Sequence, residues 1–126
     1  MVEPITAALL ACFIRTCALH YGVEPEFAQA VAIVESRPAG GGMEMRVGRL
    51  GKSRYFGPFG IHQDFLKKWD IANPYVNVEV GVKALRGADK RRVLRRYNAS
   101  FNELYYREVC RVQRRLEKGF PGLKEG

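Results

Sequence analysis

The sequence lacks any long hydrophobic run. No stretch approaches the roughly 18 consecutive apolar residues that a membrane-spanning helix needs, so we expect no membrane span. It also lacks internal repeats and low-complexity tracts, which excludes a solenoid. Acidic residues are few, 13 against 21 lysines and arginines, and the formal net charge is +8. This charge favours anionic partners, such as nucleic acid, acidic lipid or an anionic cell-wall polymer, without choosing among them.

Cysteine and histidine are also scarce. Three cysteines, Cys12, Cys17 and Cys110, allow at most one disulfide within the chain, either Cys17–Cys110 or Cys12–Cys110, which excludes a disulfide-stapled framework. We prefer the interpretation that all three are buried thiols acting as small hydrophobic side chains. The two histidines, His20 and His62, do not have the spacing of a zinc finger. We therefore expect no metal and no organic cofactor.

The first residues are only partly similar to a signal peptide. The segment from Ala7 to Ile14 is apolar, but Glu3 stands where a lysine or arginine is expected. Export is therefore not established by the sequence itself. Removal of a signal and another export route both stay open.

The composition predicts one globular domain over residues 1–126. Hydrophobic residues make up 47% and charged residues 27% of the chain, close to globular averages, so extensive disorder is not expected. Apolar spacing and capping residues predict a mainly α-helical fold. The predicted helices cover about 5–20, Pro25 to Ser36, 62–69, about Asn77 to Gly87, Asp89 to Tyr97, and a last helix after Asn102.

Residues 37–60 differ from the rest because seven glycines and two prolines fall there. A weak alternation begins at Met43, and at most a small β-hairpin lobe is expected around residues 43–56. A long glycine-rich loop inside a compact domain is more often functional than idle.

Glu35 is the most informative residue of the sequence. It continues the apolar stripe of the second helix, seven positions after Ala28, and it falls in the last helical turn. Burial and the negative end of the helix dipole both disfavour the carboxylate anion, so both are expected to raise its pKa. A carboxyl group that keeps its proton is suited to general acid catalysis. The alternative is a glutamate at the edge of the stripe that reaches solvent.

Six segments of the chain follow one another in a recognisable order. They are Tyr21–Pro25, Ala30–Ser36 with its Glu-Ser ending, Gly57–Ile61, Asn77 with Gly81, Arg96–Ser100 and Tyr105–Val109. In this order, and over about residues 20–112, they resemble the motifs of the soluble lytic transglycosylases. Two positions depart from the family pattern, since Gly60 replaces a glutamine and Ser100 replaces a glycine.

The resemblance implies a lysozyme-like fold and cleavage of the β-1,4 bond between N-acetylmuramic acid and N-acetylglucosamine in peptidoglycan. Glu35 would protonate the glycosidic oxygen. It would then act as a base on the C6 hydroxyl of the muramic acid, which closes a 1,6-anhydro ring. One carboxylate suffices, because the internal hydroxyl replaces the water or nucleophile handled by the second carboxylate of a hydrolase.

The resemblance also implies roles for residues near Glu35. Ser36 is expected to form a hydrogen bond near the reaction centre, Tyr97 to orient Glu35, and Asn98 to bind an acetamido group. Alternative interpretations are a helix-terminal serine without a role, a core tyrosine and a helix-ending asparagine.

The other candidate substrate-binding residues are Gly57, Phe59, Gly60, Ile61, Gln63 and Tyr105. The two glycines would let the backbone approach the glycan closely. Phe59 and Ile61 would form the floor of the sugar site, and Tyr105 would stack on a sugar face. Turn formation explains the glycines equally well, and core packing explains the aromatic residues. Trp69 is assigned to the core.

A muramidase on the same scaffold is one alternative function. It would hydrolyse the glycan with water and would need a second carboxylate across the cleft. Glu44 is the candidate, with Asp64 just beyond the glycine-rich segment. A non-catalytic glycan-binding relative would lack the acid, whereas Glu35 is present.

A nucleic-acid-binding helical protein is the alternative from another class. The net charge and the arginine-rich segment 91–96 allow it. The Val93, Leu94 and Tyr97 stripe, however, lacks the polar residues with which a recognition helix reads bases, so we expect no nucleic acid. We expect peptidoglycan glycan strands as the partner and a periplasmic or cell-envelope location. An envelope-spanning secretion or conjugation apparatus is a further candidate partner.

Overall fold

The computed structural model describes residues 6–38, 41–49, 51–98 and 100–119. This part of the chain is mainly helical with one small sheet, which confirms the predicted class. In chain order the elements are α1 (Ala7–Tyr21), α2 (Pro25–Ser36), β1 (Tyr55–Phe56), β2 (Ile61–His62), a 3-10 helix (Gln63–Lys67), α3 (Pro74–Ala84), α4 (Lys90–Tyr97) and α5 (Glu103–Glu117). None of the described helices has the length and apolar character needed to cross a bilayer.

Local capping residues set most of the helix ends. Thr6 accepts a hydrogen bond from the backbone N–H of Leu9 at the start of α1, and Asn102 does the same for α5. Gly22 ends α1 with a left-handed backbone, φ 72°, that favours glycine. Because these signals lie within a few residues of the helix ends they control, the sequence predicts α1, α2, α4 and α5 closely.

Helix α2 is the centre of the core. Every residue from Phe27 to Ile33 on this helix is buried. It packs against α1 on one side and α5 on the other, and α1 in turn packs against α3. A helix that is apolar on all sides must be enclosed in this way. Its last turn emerges from the core and carries Glu35.

The sheet is a small antiparallel hairpin that lies later in the chain than predicted. Tyr55 pairs with His62 and Phe56 with Ile61, so the predicted lobe at 43–56 contributes only its final residues. Residues 43, 45 and 47 instead pack against the core without forming a strand. Weak alternation over a few residues does not specify a strand when no neighbouring strand pairs with it.

Three further expectations need correction. Helix α3 begins at Pro74, not Asn77, because Asn73 caps it. Trp69 is half-buried rather than a core residue, and it stacks on Phe65 with the ring centroids 5.7 Å apart. All three cysteines are free, but only Cys17 is buried.

Candidate active site

Glu35 is half-buried at the end of α2, and the same oxygen of its carboxyl group accepts two hydrogen bonds. Tyr105 on α5 donates its hydroxyl to Glu35 Oε1 at 2.6 Å. Asn98, at the end of α4, donates its side-chain amide to Oε1 at 3.3 Å. Three helices therefore converge on one carboxyl group.

Burial raises the pKa of Glu35, in the direction predicted from the sequence. Desolvation is the largest influence, because it penalises the charged form. The hydrogen bonds from Tyr105 and Asn98 act in the opposite direction, since they stabilise the carboxylate. Burial outweighs these two hydrogen bonds, so the pKa of Glu35 stays above its ordinary value.

The tyrosine that touches Glu35 is Tyr105, not Tyr97 as expected. The hydroxyl of Tyr97 donates instead to the backbone carbonyl of Phe59 at 2.6 Å. Tyr105 was expected to stack on a sugar face, but its hydroxyl is committed to Glu35. Burial and the neighbouring Glu35 raise the pKa of both phenols, so both remain protonated donors.

The side-chain amide of Asn98 forms hydrogen bonds at both ends. Its Nδ2 donates to Glu35, and its Oδ1 contacts the backbone. Its Oδ1 accepts a hydrogen bond from the N–H of Ser100 at 2.9 Å. The amide predicted to bind an acetamido group thus has protein partners at both ends. In this arrangement its role is to hold the carboxyl group.

The segment Gly57–Gly60 is fixed beneath the site by a residue absent from the predicted site, Asn77. This side chain is fully buried. It donates to the carbonyls of Phe56 and Ile71 at 2.8 and 3.0 Å, and it accepts from the N–H of Phe59 at 3.1 Å. The spacing of Asn77 and Gly81, four positions apart on one helix, was the available signal.

Gly57 and Phe59 pack against α3 and do not form a substrate-binding surface. Gly57 has φ +69°, and any side chain there would overlap that of Asn77. Phe59 is fully buried and lies directly against Gly81, where even a methyl group would overlap its ring. The expectation that Phe59 forms the floor of a sugar site is corrected, because a fully buried ring cannot touch a sugar.

Gly60 is the predicted glycine that borders Glu35. Its φ is +56°, and a methyl group at this position would lie 3.6 Å from Glu35 Oε2 and 3.4 Å from the Glu35 carbonyl oxygen. A side chain at this position would therefore lie in van der Waals contact with Glu35.

Ser36 is buried and its hydroxyl is used by the backbone. It donates to the carbonyl of Ala32 at 2.7 Å and accepts from the N–H of Arg46 at 2.9 Å. Ser36 thus ties the glycine-rich segment to the end of α2. The expected hydrogen bond at the reaction centre is replaced by these two contacts.

Ile61 and Gln63 follow Gly60 closely in the sequence. Neither forms a hydrogen bond with Glu35 in the part of the chain that the structure describes. Ile61 is half-buried in β2. Gln63 is exposed at the start of the 3-10 helix, where its N–H donates to the carbonyl of Arg54 at 2.7 Å. Their predicted contacts with substrate stay predictions.

The candidate second carboxylates are both on the surface. Glu44 is exposed in the glycine-rich segment. The side chain of Asp64 is 83% exposed and lies 3.4 Å from His62. Neither contributes to the shift in the pKa of Glu35, whose causes are burial and the two hydrogen bonds.

Two surface cavities, of about 340 and 190 Å³, lie elsewhere and are not lined by Glu35. Among the described residues, no three His, Cys, Asp or Glu side chains cluster closely enough to hold a metal ion.

Comparisons of the chain with protein-family models, with curated proteins and with solved structures found no significant match.

Proposed function

We propose that the protein is a peptidoglycan lytic transglycosylase in which Glu35 is the single catalytic carboxyl group. The observation that carries the proposal is the pair of hydrogen bonds on Glu35 Oε1, together with a pKa raised by burial. A carboxyl group that is held in place and whose pKa is raised is suited to general acid catalysis. The ordered sequence motifs supply the substrate class.

The two carboxyl oxygens of Glu35 have different surroundings, and we assign them different roles in the reaction. Oε1 already accepts from Tyr105 and Asn98, so Oε2 is the oxygen left to carry the proton. Oε2 lies on the side of Gly60, where an added methyl group would be 3.6 Å from it. We propose that Oε2 donates its proton to the glycosidic oxygen.

After bond cleavage, the Glu35 carboxylate is the base of the second step. It takes the proton from the C6 hydroxyl of the muramic acid, and the freed oxygen bonds to C1 of the same sugar. The attack is intramolecular and gains from proximity. Glu35 donates one proton in the first step and takes one back in the second, so the reaction needs no other acid or base. This agrees with a site where no second carboxylate influences the pKa of Glu35.

The proposal is tested by incubating the purified protein with peptidoglycan and identifying the products by mass spectrometry. The wild type is compared with Glu35→Gln and with Glu44→Gln, which changes an exposed acid of the neighbouring segment. We expect 1,6-anhydromuramic ends from the wild type and from Glu44→Gln, and none from Glu35→Gln.

Two results would overturn the proposal. Reducing muramic ends that disappear in Glu44→Gln would assign a muramidase with Glu44 as its second carboxylate. Products that persist at the wild-type level in Glu35→Gln would remove the catalytic role of Glu35. The proposed partner is the glycan strand and the proposed location is the cell envelope, with a secretion or conjugation apparatus as a candidate setting.

A further inference from the structure

A surface cavity is lined by residues from the C-terminal end of α3 and the C-terminal end of α4. Its volume is about 340 Å³, and its lining residues are Lys83, Ala84, Arg86, Arg96 and Tyr97. Three of these five side chains are cationic and none is acidic. The catalytic proposal uses none of the three cations.

Backbone carbonyls at the end of α3 hold the two guanidinium groups in place. Arg86 donates through Nε to the carbonyl of Lys83 at 3.0 Å. Arg96 donates through Nη2 to the carbonyl of Arg86 at 2.7 Å. In the described chain, both Nη groups of Arg86, and Nε and Nη1 of Arg96, have no hydrogen-bond partner. Both arginines are exposed, and the backbone hydrogen bonds that they already form reduce the entropy they lose when they bind an oxyanion.

Lys83 lines the cavity, but its charge is used elsewhere. Its ammonium group lies 3.4 Å from Glu79 Oε1 and above the ring of Tyr21. The free positive charge of the cavity therefore comes from Arg86 and Arg96.

We propose that this cavity binds a small molecule that carries a phosphate or carboxylate group. The planar fork of arginine matches the oxygens of both groups. The volume lies within the range of small-ligand sites, and it exceeds that of a bare anion. Ala84 and the ring of Tyr97 supply an apolar wall for the body of the ligand. The inference does not depend on the proposed glycan cleavage.

The test is titration of the protein with inorganic phosphate, a sugar phosphate and acetate at constant ionic strength, by calorimetry and by two-dimensional amide NMR. Arg86→Gln removes one guanidinium group. Arg92→Gln is the matched control, because Arg92 is an exposed arginine of α4 that does not line the cavity. Arg96 is left unchanged because it donates to two backbone carbonyls, those of Ala84 and Arg86, whereas Arg86 donates to one.

We expect saturable binding that is at least about tenfold weaker in Arg86→Gln and unchanged in Arg92→Gln, as the loss of a charge-assisted contact predicts. The shifted amides should include those of Ala84 and Gly87. Tighter binding of the sugar phosphate than of phosphate identifies a small phosphorylated molecule, and preference for acetate identifies a carboxylate. Equal weakening in both variants, or no saturation, would overturn the proposal in favour of diffuse attraction to a basic surface.

Discussion

The hydroxyl of Tyr105 donates a hydrogen bond to Oε1 of Glu35 at 2.6 Å, across 70 positions of sequence. It joins the end of α2 to the first turn of α5, the two helices whose packing closes this side of the core. The bond stabilises the carboxylate, whereas burial destabilises it. The position of a distant helix therefore limits how far burial raises the pKa of Glu35.

Replacing Tyr105 with phenylalanine should raise the pKa of Glu35 further. Hydrogen bonds to charged groups contribute roughly 1.5–3 kcal/mol, so the rise should be about one to two pH units. The measurement is an NMR titration of the ¹³C-labelled Glu35 carboxyl carbon. Tyr97→Phe is the control, because its hydroxyl bonds to Phe59. An equal or larger rise in Tyr97→Phe would contradict the assignment.

Glu35→Gln should change how stability depends on pH. The folded pKa of Glu35 is raised, so its contribution is fully present below the unfolded pKa of about 4.3 and is lost as the pH rises through the folded pKa. The unfolding free energy of the wild type should therefore fall relative to that of Glu35→Gln as the pH increases. Urea denaturation across this range measures the difference.

Glu79→Gln provides a control of opposite sign for that experiment. Hydrogen bonds from Tyr21 and Lys83 lower the pKa of Glu79, so its contribution is present above the unfolded pKa and lost as the pH falls. A difference between wild type and Glu35→Gln that stays flat, or slopes in the direction of Glu79→Gln, would show that folding does not raise the pKa of Glu35.

Gly60→Ala should impair the site more than it impairs the fold. Gly60 and Gly51 have similar backbone angles, φ +56° and +54°, so alanine should cost each about 1–2 kcal/mol of stability. A methyl group at Gly60 would lie in van der Waals contact with Glu35, on the side where substrate is proposed to bind, whereas one at Gly51 meets nothing within 4 Å. Activity should fall in Gly60→Ala and stay near wild type in Gly51→Ala, measured on the same peptidoglycan. Equal activities would show that Gly60 does not border the reacting oxygen.

Asn77→Ala should lower the unfolding free energy by about 3 kcal/mol. It removes three buried hydrogen bonds, each worth about 1 kcal/mol, and leaves the carbonyl of Phe56 and the N–H of Phe59 without that partner. Asn73→Ala, which removes an exposed helix cap, should cost only about 1 kcal/mol. Urea denaturation compares the two. A loss in Asn77→Ala no larger than that in Asn73→Ala would refute its role as the anchor of this segment.

The sequence predicted features whose causes are local. Gly22, Asp89 and Asn102 mark helix ends because their side chains or backbone angles act within one turn. The stripe on α2 left burial and exposure of Glu35 both open, and residues of α4 and α5 that contact its carboxyl group decide for burial. Its raised pKa follows from the same burial.

Features that depend on packing between distant elements were missed. The hairpin lies beside the side chain of Asn77, which bonds to Phe56 some 21 positions away. Tyr97 and Tyr105 both lie on buried stripes, and only the way α5 packs on α2 decides which one reaches Glu35. Spacing within a single helix contains no information about that choice.

The most direct test of the proposed chemistry is to digest peptidoglycan in ¹⁸O-labelled water and to measure the masses of the new muramic ends by mass spectrometry. An internal C6 hydroxyl replaces water as the nucleophile in the proposed reaction, so the new ends should contain no ¹⁸O and should be one water lighter than hydrolysis products. Incorporation of one ¹⁸O atom at each new end would show that water attacks the bond, and would contradict the account.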